Sequence, residues 1–162
     1  MDLAFGSESS DNRTFYFATK YTSLTDPEYR YRYLEPIINV IGKKGNQLTC
    51  FENSEYFSEK IRMPSEYFTK YIAGRLSCSC KFDTDKKCQT FKGEYSQEKI
   101  REYLFEFIKN YLICNQCDYP EALLQKNSNK CLLKHCESCG FESIVNYKSI
   151  DKAYDFINKK IK

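Results

Sequence analysis

The chain has 162 residues, 41% hydrophobic and 16% aromatic, with 25 basic against 22 acidic side chains and a net charge of +3. That length suits one domain, or a compact domain with a small module beside it. The charge balance excludes a strongly basic nucleic-acid coat, and no apolar run nears the length of a membrane span.

The polar opening from Met1 to Asp11 has none of the hydrophobic core of a leader peptide. A soluble, cytoplasmic protein is therefore expected, in a compartment where thiols stay reduced and clustered cysteines bind metal. Residues 1–25 read as a polar tail or arm, with an aromatic alternating stretch from Thr14 to Tyr21 that suits a partner surface.

An α/β domain is expected over residues 26–112. Tyr29-Arg30-Tyr31-Arg32-Tyr33 alternates strictly, which sets three tyrosines on one strand face and Arg30 and Arg32 on the other. By itself this is an ordinary amphipathic strand with solvated arginines. After Pro36, Ile37 to Ile41 reads as a buried strand. A turn over Gly42 to Asn46, tipped by Lys43 and Lys44, leads to a second strand from Leu48 to Phe51. Asn53 or Ser54 caps a short helix ending near Ile61. Pro64 opens a second helix ending near Gly74, with Tyr67, Phe68, Tyr71 and Ile72 on one face. Cys78 to Phe82 and Cys88 to Phe91 flank a polar turn. Ser96 caps the longest helix, from Gln97 to about Tyr111, whose stripe of Ile100, Tyr103, Leu104, Phe107, Ile108 and Tyr111 belongs in a core.

A four-cysteine zinc ribbon is expected over residues 113–146. Cys114 and Cys117 form one C-x-x-C pair and Cys136 and Cys139 another, with 18 residues between them. That spacing lets two knuckles close a tetrahedral four-sulfur shell around one structural zinc ion. Gly140 supplies the positive φ that such a knuckle asks for. Three short strands (Ala122 to Gln125, Cys131 to Lys134 and Phe141 to Val145) complete the ribbon. Its core is small, so the metal should contribute on the order of 10 kcal/mol to its folding. Residues 147–162 read as a C-terminal helix with a basic end.

Five cysteines remain. Cys50 reads as a small core residue. Cys78, Cys80 and Cys88 offer three ligands without a clear fourth, so a second metal site is the lesser alternative, and Cys131 is unassigned. His135 is adjacent to Cys136 and, on a strand, points to the other face. The fold class is α+β: a small mixed domain of hairpins and helices, then the ribbon.

This order of parts resembles the shared module of translation initiation factor two beta and initiation factor five, over about residues 26 to 146. The resemblance rests on Cys114-Asn-Gln-Cys117, Pro120-Glu121, Leu124 and Cys136-Glu-Ser-Cys139-Gly140-Phe141. Upstream it rests on Asn53, Lys92-Gly93, Ile100 and Phe107-Ile108-Lys109. Three features are similar to factor five: Tyr29-Arg30-Tyr31 followed by basic Arg32, then Val40-Ile41-Gly42-Lys43, then Thr69-Lys70-Tyr71 with Leu76. Leu123-Leu124-Gln125-Lys126 looks equally like the beta subunit.

The resemblance implies a translation initiation factor, not itself an enzyme. It would act on the complex of initiation factor two, GTP and initiator tRNA on the small ribosomal subunit with mRNA. Arg30 then matches the arginine assigned to GTPase activation, in trans on the gamma subunit. An arginine so placed accelerates hydrolysis by roughly 10³–10⁵ in known systems. Tyr29, Tyr31, Arg32, Lys43, Lys44 and Lys70 become partner or RNA contacts, and for the two hairpin lysines a solvated turn is an equal alternative. A monomer is expected. Factor five continues into a helical-repeat domain whereas this sequence stops at Lys162, so that role is expected to be missing or supplied elsewhere. Gln47-Leu48 departs from the family, and the beta subunit's polylysine blocks and gamma-docking helix have no counterpart. The rivals are a beta-like subunit bound to the gamma GTPase and a zinc-ribbon module that binds nucleic acid in transcription.

Overall fold

The computed structural model describes residues 14–16, 31–145 and 152–162, with the backbone alone for Thr14–Tyr16 and Arg32. A first strand, β1 (Thr14–Tyr16), pairs antiparallel with β2 (Arg32–Leu34). Part of the aromatic arm thus forms a strand within its own chain.

A four-stranded antiparallel sheet follows, in the order β3-β4-β6-β5. It is built from the hairpins β3 (Ile38–Ile41) with β4 (Leu48–Phe51) and β5 (Cys80–Asp83) with β6 (Cys88–Lys92). The register sets Thr49 opposite Phe91 and Phe51 opposite Gln89, so strand alternation puts these four on one face. Three helices supply its cover: α1 (Ser54–Ile61), α2 (Ser65–Leu76) and α3 (Gln97–Tyr111). Phe51, Phe57, Phe68, Phe91 and Phe107 are fully buried. Each such ring contributes roughly 1.5–3 kcal/mol by leaving water. The ring of Phe68 lies 6.0 Å from Phe51 and 6.2 Å from Phe107, which ties sheet to helix. Polar groups in this core are paired: Thr49 donates to the Gly93 carbonyl at 2.8 Å, and Gln89 donates to the Ser65 hydroxyl at 3.0 Å.

Two expectations are corrected. The strand at Ile37 to Ile41 is not buried, since β3 is an edge strand with Ile37 50% and Val40 37% exposed. The second helix passes through Gly74 and ends at Leu76, where Ser77 takes a left-handed conformation (φ 53°). Cys50 is a buried residue of β4, as the sequence indicates, and it is joined to Cys88 as a disulfide, with Cα atoms 6.7 Å apart. Cys50 faces Thr90 across the ladder, so Cys88 is its diagonal neighbour on the same face and within bridging reach.

The ribbon sheet is β7 (Ala122–Lys126), β8 (Leu132–Cys136) and β9 (Glu142–Ile144), antiparallel with β8 in the middle. A last helix, α4 (Lys152–Lys160), buries Ala153, Tyr154 and Ile157. It lies along α2, with Phe156 edge-on to Tyr67 at 6.3 Å. It also reaches the ribbon: Leu132 N–H donates to Tyr154 Oη at 3.3 Å and Asn158 to the Lys130 carbonyl at 3.1 Å.

Candidate metal centre

The end of α3 delivers the first knuckle. Leu112 and Ile113 are buried, and Ala122 N–H donates to the Leu112 carbonyl at 3.1 Å, which anchors the start of β7 to the helix end. Cys114 N–H then donates to the Tyr119 carbonyl at 2.9 Å, and Asp118 N–H to the Cys114 carbonyl at 3.1 Å. The second knuckle repeats the pattern: Cys136 N–H to the Phe141 carbonyl at 2.9 Å, Gly140 N–H to the Cys136 carbonyl at 2.8 Å. The fifth residue of each knuckle is left-handed, Asp118 at φ 60° and Gly140 at φ 74°.

These turns bring four sulfurs together. Cys114 Sγ is 3.6 Å from Cys139 Sγ, Cys117 Sγ is 3.6 Å from Cys136 Sγ, and all four lie within 4.8 Å of one another. A tetrahedral shell with metal–sulfur bonds of about 2.3 Å has sulfur–sulfur edges of roughly 3.8 Å. The donor set therefore fits a zinc-type ion. Four protein ligands leave no position for substrate, so the chemistry of such an ion would be to cross-link the fold.

The surroundings of the thiols point the same way. Burial pushes the Cys117 thiol up to about 12 and raises Cys136 as well. Burial also opposes ionisation of Cys114, but the backbone N–H groups of Cys117 and Gln116 outweigh it and bring that thiol below its ordinary value. A divalent cation is what would let all four ionise together.

Among the described residues, Cys78, Cys80 and Cys88 form no such group. His135 sits on the opposite face of β8 from Cys136 and pairs with Glu142 at 3.0 Å.

The other candidate residues are spread over the fold. Tyr29 and Arg30 lie outside the described residues. Arg32 lies in β2, opposite Tyr16. Tyr31 is buried, donates to Glu121 Oε1 at 2.5 Å and rests 5.7 Å from the Tyr119 ring. Lys43 and Lys44 are exposed in the β3–β4 turn. Lys70 is exposed on α2, its ammonium 5.5 Å from the centre of the Phe156 ring of α4.

Sequence patterns missed two groups, one that ties the end of α1 to the ribbon and one inside the ribbon. Arg62, left-handed after α1, bonds to Glu121 at 2.9 Å and also to Glu137. Lys134 is buried in β8. Alternation along β8 places it on the Cys136 face and was the available signal.

An α+β protein carrying a four-cysteine ribbon is the class defined by this fold and this shell. Residues 21–142 match the family described as the domain found in initiation factors 2B and 5, and the chain belongs to that family. It is 30% identical over 128 residues to "Eukaryotic translation initiation factor 5" of Caenorhabditis elegans, covering 78% of this chain and 29% of that protein. The factor of the same name from Drosophila melanogaster is 30% identical over 129 residues, covering 78% of this chain and 28% of that protein. The one from Saccharomyces cerevisiae is 28% identical over 116 residues, covering 71% and 28%. The chain thus spans less than a third of the length of these relatives.

Proposed function

We propose that the protein is a translation initiation factor that acts as the N-terminal part of initiation factor five does. It would bind initiation factor two with GTP and initiator tRNA on the small ribosomal subunit and gate GTP hydrolysis at the start codon. The carrying observation is the family match over residues 21–142, with relatives named as that factor. The reaction centre would belong to the gamma subunit, and Arg30 would be inserted into it. A guanidinium suits this because it is planar, always charged and able to meet developing phosphoryl charge.

Tyr31 supports that role. Its bond to Glu121 ties Tyr31, the next residue in the chain, to the ribbon. Tyr29 and Arg32 flank it as partner contacts. Lys43 and Lys44 on the hairpin tip are proposed to meet RNA phosphates, with Lys70 as a further contact. The four cysteines are proposed to hold one zinc ion. The proposed compartment is the cytoplasm and the proposed state a monomer. No helix among the described residues is long and apolar enough to cross a membrane.

The test is single-turnover GTP hydrolysis by the initiator-tRNA complex on small subunits with a start codon. Added protein should accelerate the reaction strongly, and Arg30→Ala should lose most of that, by roughly 10³-fold or more. No acceleration, with tight binding to the gamma subunit, would move the protein to a beta-like role.

A further inference from the structure

Lys134 occupies the middle of the central ribbon strand, between Leu124 of β7 and Ser143 of β9. It is only 4% exposed. Lysine is almost never buried without a partner, because an unpaired ammonium loses its hydration for nothing. Its Nζ donates to the Ile113 carbonyl at 2.8 Å and to Asn115 Oδ1 at 2.9 Å. Both acceptors are neutral, and they flank Cys114 on either side.

The opposite problem exists one layer away. Four thiolates around a divalent ion carry a net charge of about −2. Cys114 and Cys136 of that shell are buried. A buried anion is as costly as a buried cation unless something compensates it.

We infer that Lys134 is the counter-charge of the metal centre and the positioning residue of its first knuckle. It places one positive charge beside the sulfur shell, and its two hydrogen bonds brace the chain before and after Cys114. The inference rests on the reading that the four cysteines hold a zinc-class divalent ion. A positive charge there offsets part of the shell's net negative charge and makes its sulfurs poorer targets for protons, so Lys134 would slow loss of the ion.

The experiment uses the full chain and three variants: Lys134→Met, Lys134→Gln and Lys134→Arg. Zinc content is measured first, then the rate of zinc transfer to a chromophoric chelator. The thiolate-to-cobalt charge-transfer band of cobalt(II)-loaded protein is recorded as well. The parent should hold one equivalent. Met and Gln should release zinc about 10–100-fold faster and shift the cobalt band to longer wavelength, while Arg should stay close to the parent in both. If Met leaves too little folded protein, Gln carries the comparison, since it keeps a hydrogen-bonding side chain without the charge. A neutral variant with the parent's release rate and band would overturn the inference, as would an Arg variant as leaky as the neutral ones. A parent with no bound metal would overturn the metal reading and this inference with it, and that result appears before any variant is compared.

Discussion

Gly140 and Asp118 hold equivalent places in the two knuckles, and they carry different costs. A left-handed backbone costs an ordinary L-residue roughly 1–2 kcal/mol and glycine almost nothing. A Cβ on Gly140 would meet nothing within 4 Å. Gly140→Ala should therefore destabilise the ribbon by about 1–2 kcal/mol through backbone strain alone. Denaturant unfolding of the metal-loaded protein checks this, and an unchanged midpoint would show that the knuckle relaxes. The cysteine spacing and Gly140 were legible because both residue types have few other uses in that pattern. Asp118 was not, because aspartate tolerates the left-handed region without requiring it. Lys134 stayed hidden for a different reason: a lysine reads as solvent-exposed until its strand neighbours are known. The Cys50–Cys88 disulfide needed the β4–β6 register, which joins residues 38 positions apart.

Elements with strong local signals were readable almost to the residue. Ser96 accepts from Lys99 N–H at 3.4 Å and opens α3 as its sequence indicates, and the apolar stripe behind it is buried. Asn53 precedes α1, but its side chain does not cap the helix. It donates to the Glu35 carbonyl at 2.9 Å and accepts from Ile37 N–H at 2.8 Å, so it serves the loop before β3. Arg101, on the exposed side of α3, pairs with Glu35 at 2.9 Å. Gly74 looked like a helix end because glycine is a poor helix former. In the structure it sits in mid-turn under α4, where an added Cβ would lie 3.8 Å from Lys152 Cβ. That is ordinary contact, so there is room for a methyl group. Gly74→Ala should stabilise the protein by about 0.5–1 kcal/mol, with thermal or denaturant unfolding as the measure. A loss of stability would mean that α4 packs more tightly against α2 than that spacing allows.

At the scale of the molecule, the sheet and the ribbon are joined by contacts that no local pattern encodes. Tyr31 to Glu121 spans 90 positions, and Arg62 to Glu121 spans 59. Glu121 is the shared acceptor, with its side chain 13% exposed against 41% for Arg62. Exposed ion pairs contribute little in water, so Arg62→Ala should cost about 1 kcal/mol or less, and less again at high salt. Glu121→Ala leaves a buried tyrosine hydroxyl without this acceptor and should cost more, about 1–3 kcal/mol. Unfolding at low and high salt separates the two. Equal costs would show that the Tyr31 bond contributes nothing.

The C-terminal helix adds a thermodynamic linkage between distant parts. One side of α4 rests on α2, and Lys126 of the ribbon donates to the Ile161 carbonyl at 2.7 Å, just past the helix end. Any ion that holds the ribbon in its folded form thereby favours the docked state of α4 as well. Saturating the four sulfurs should slow amide exchange along α2, in a layer that touches none of them. Lys70, whose ammonium sits over Phe156, would then be presented differently as metal occupancy changes.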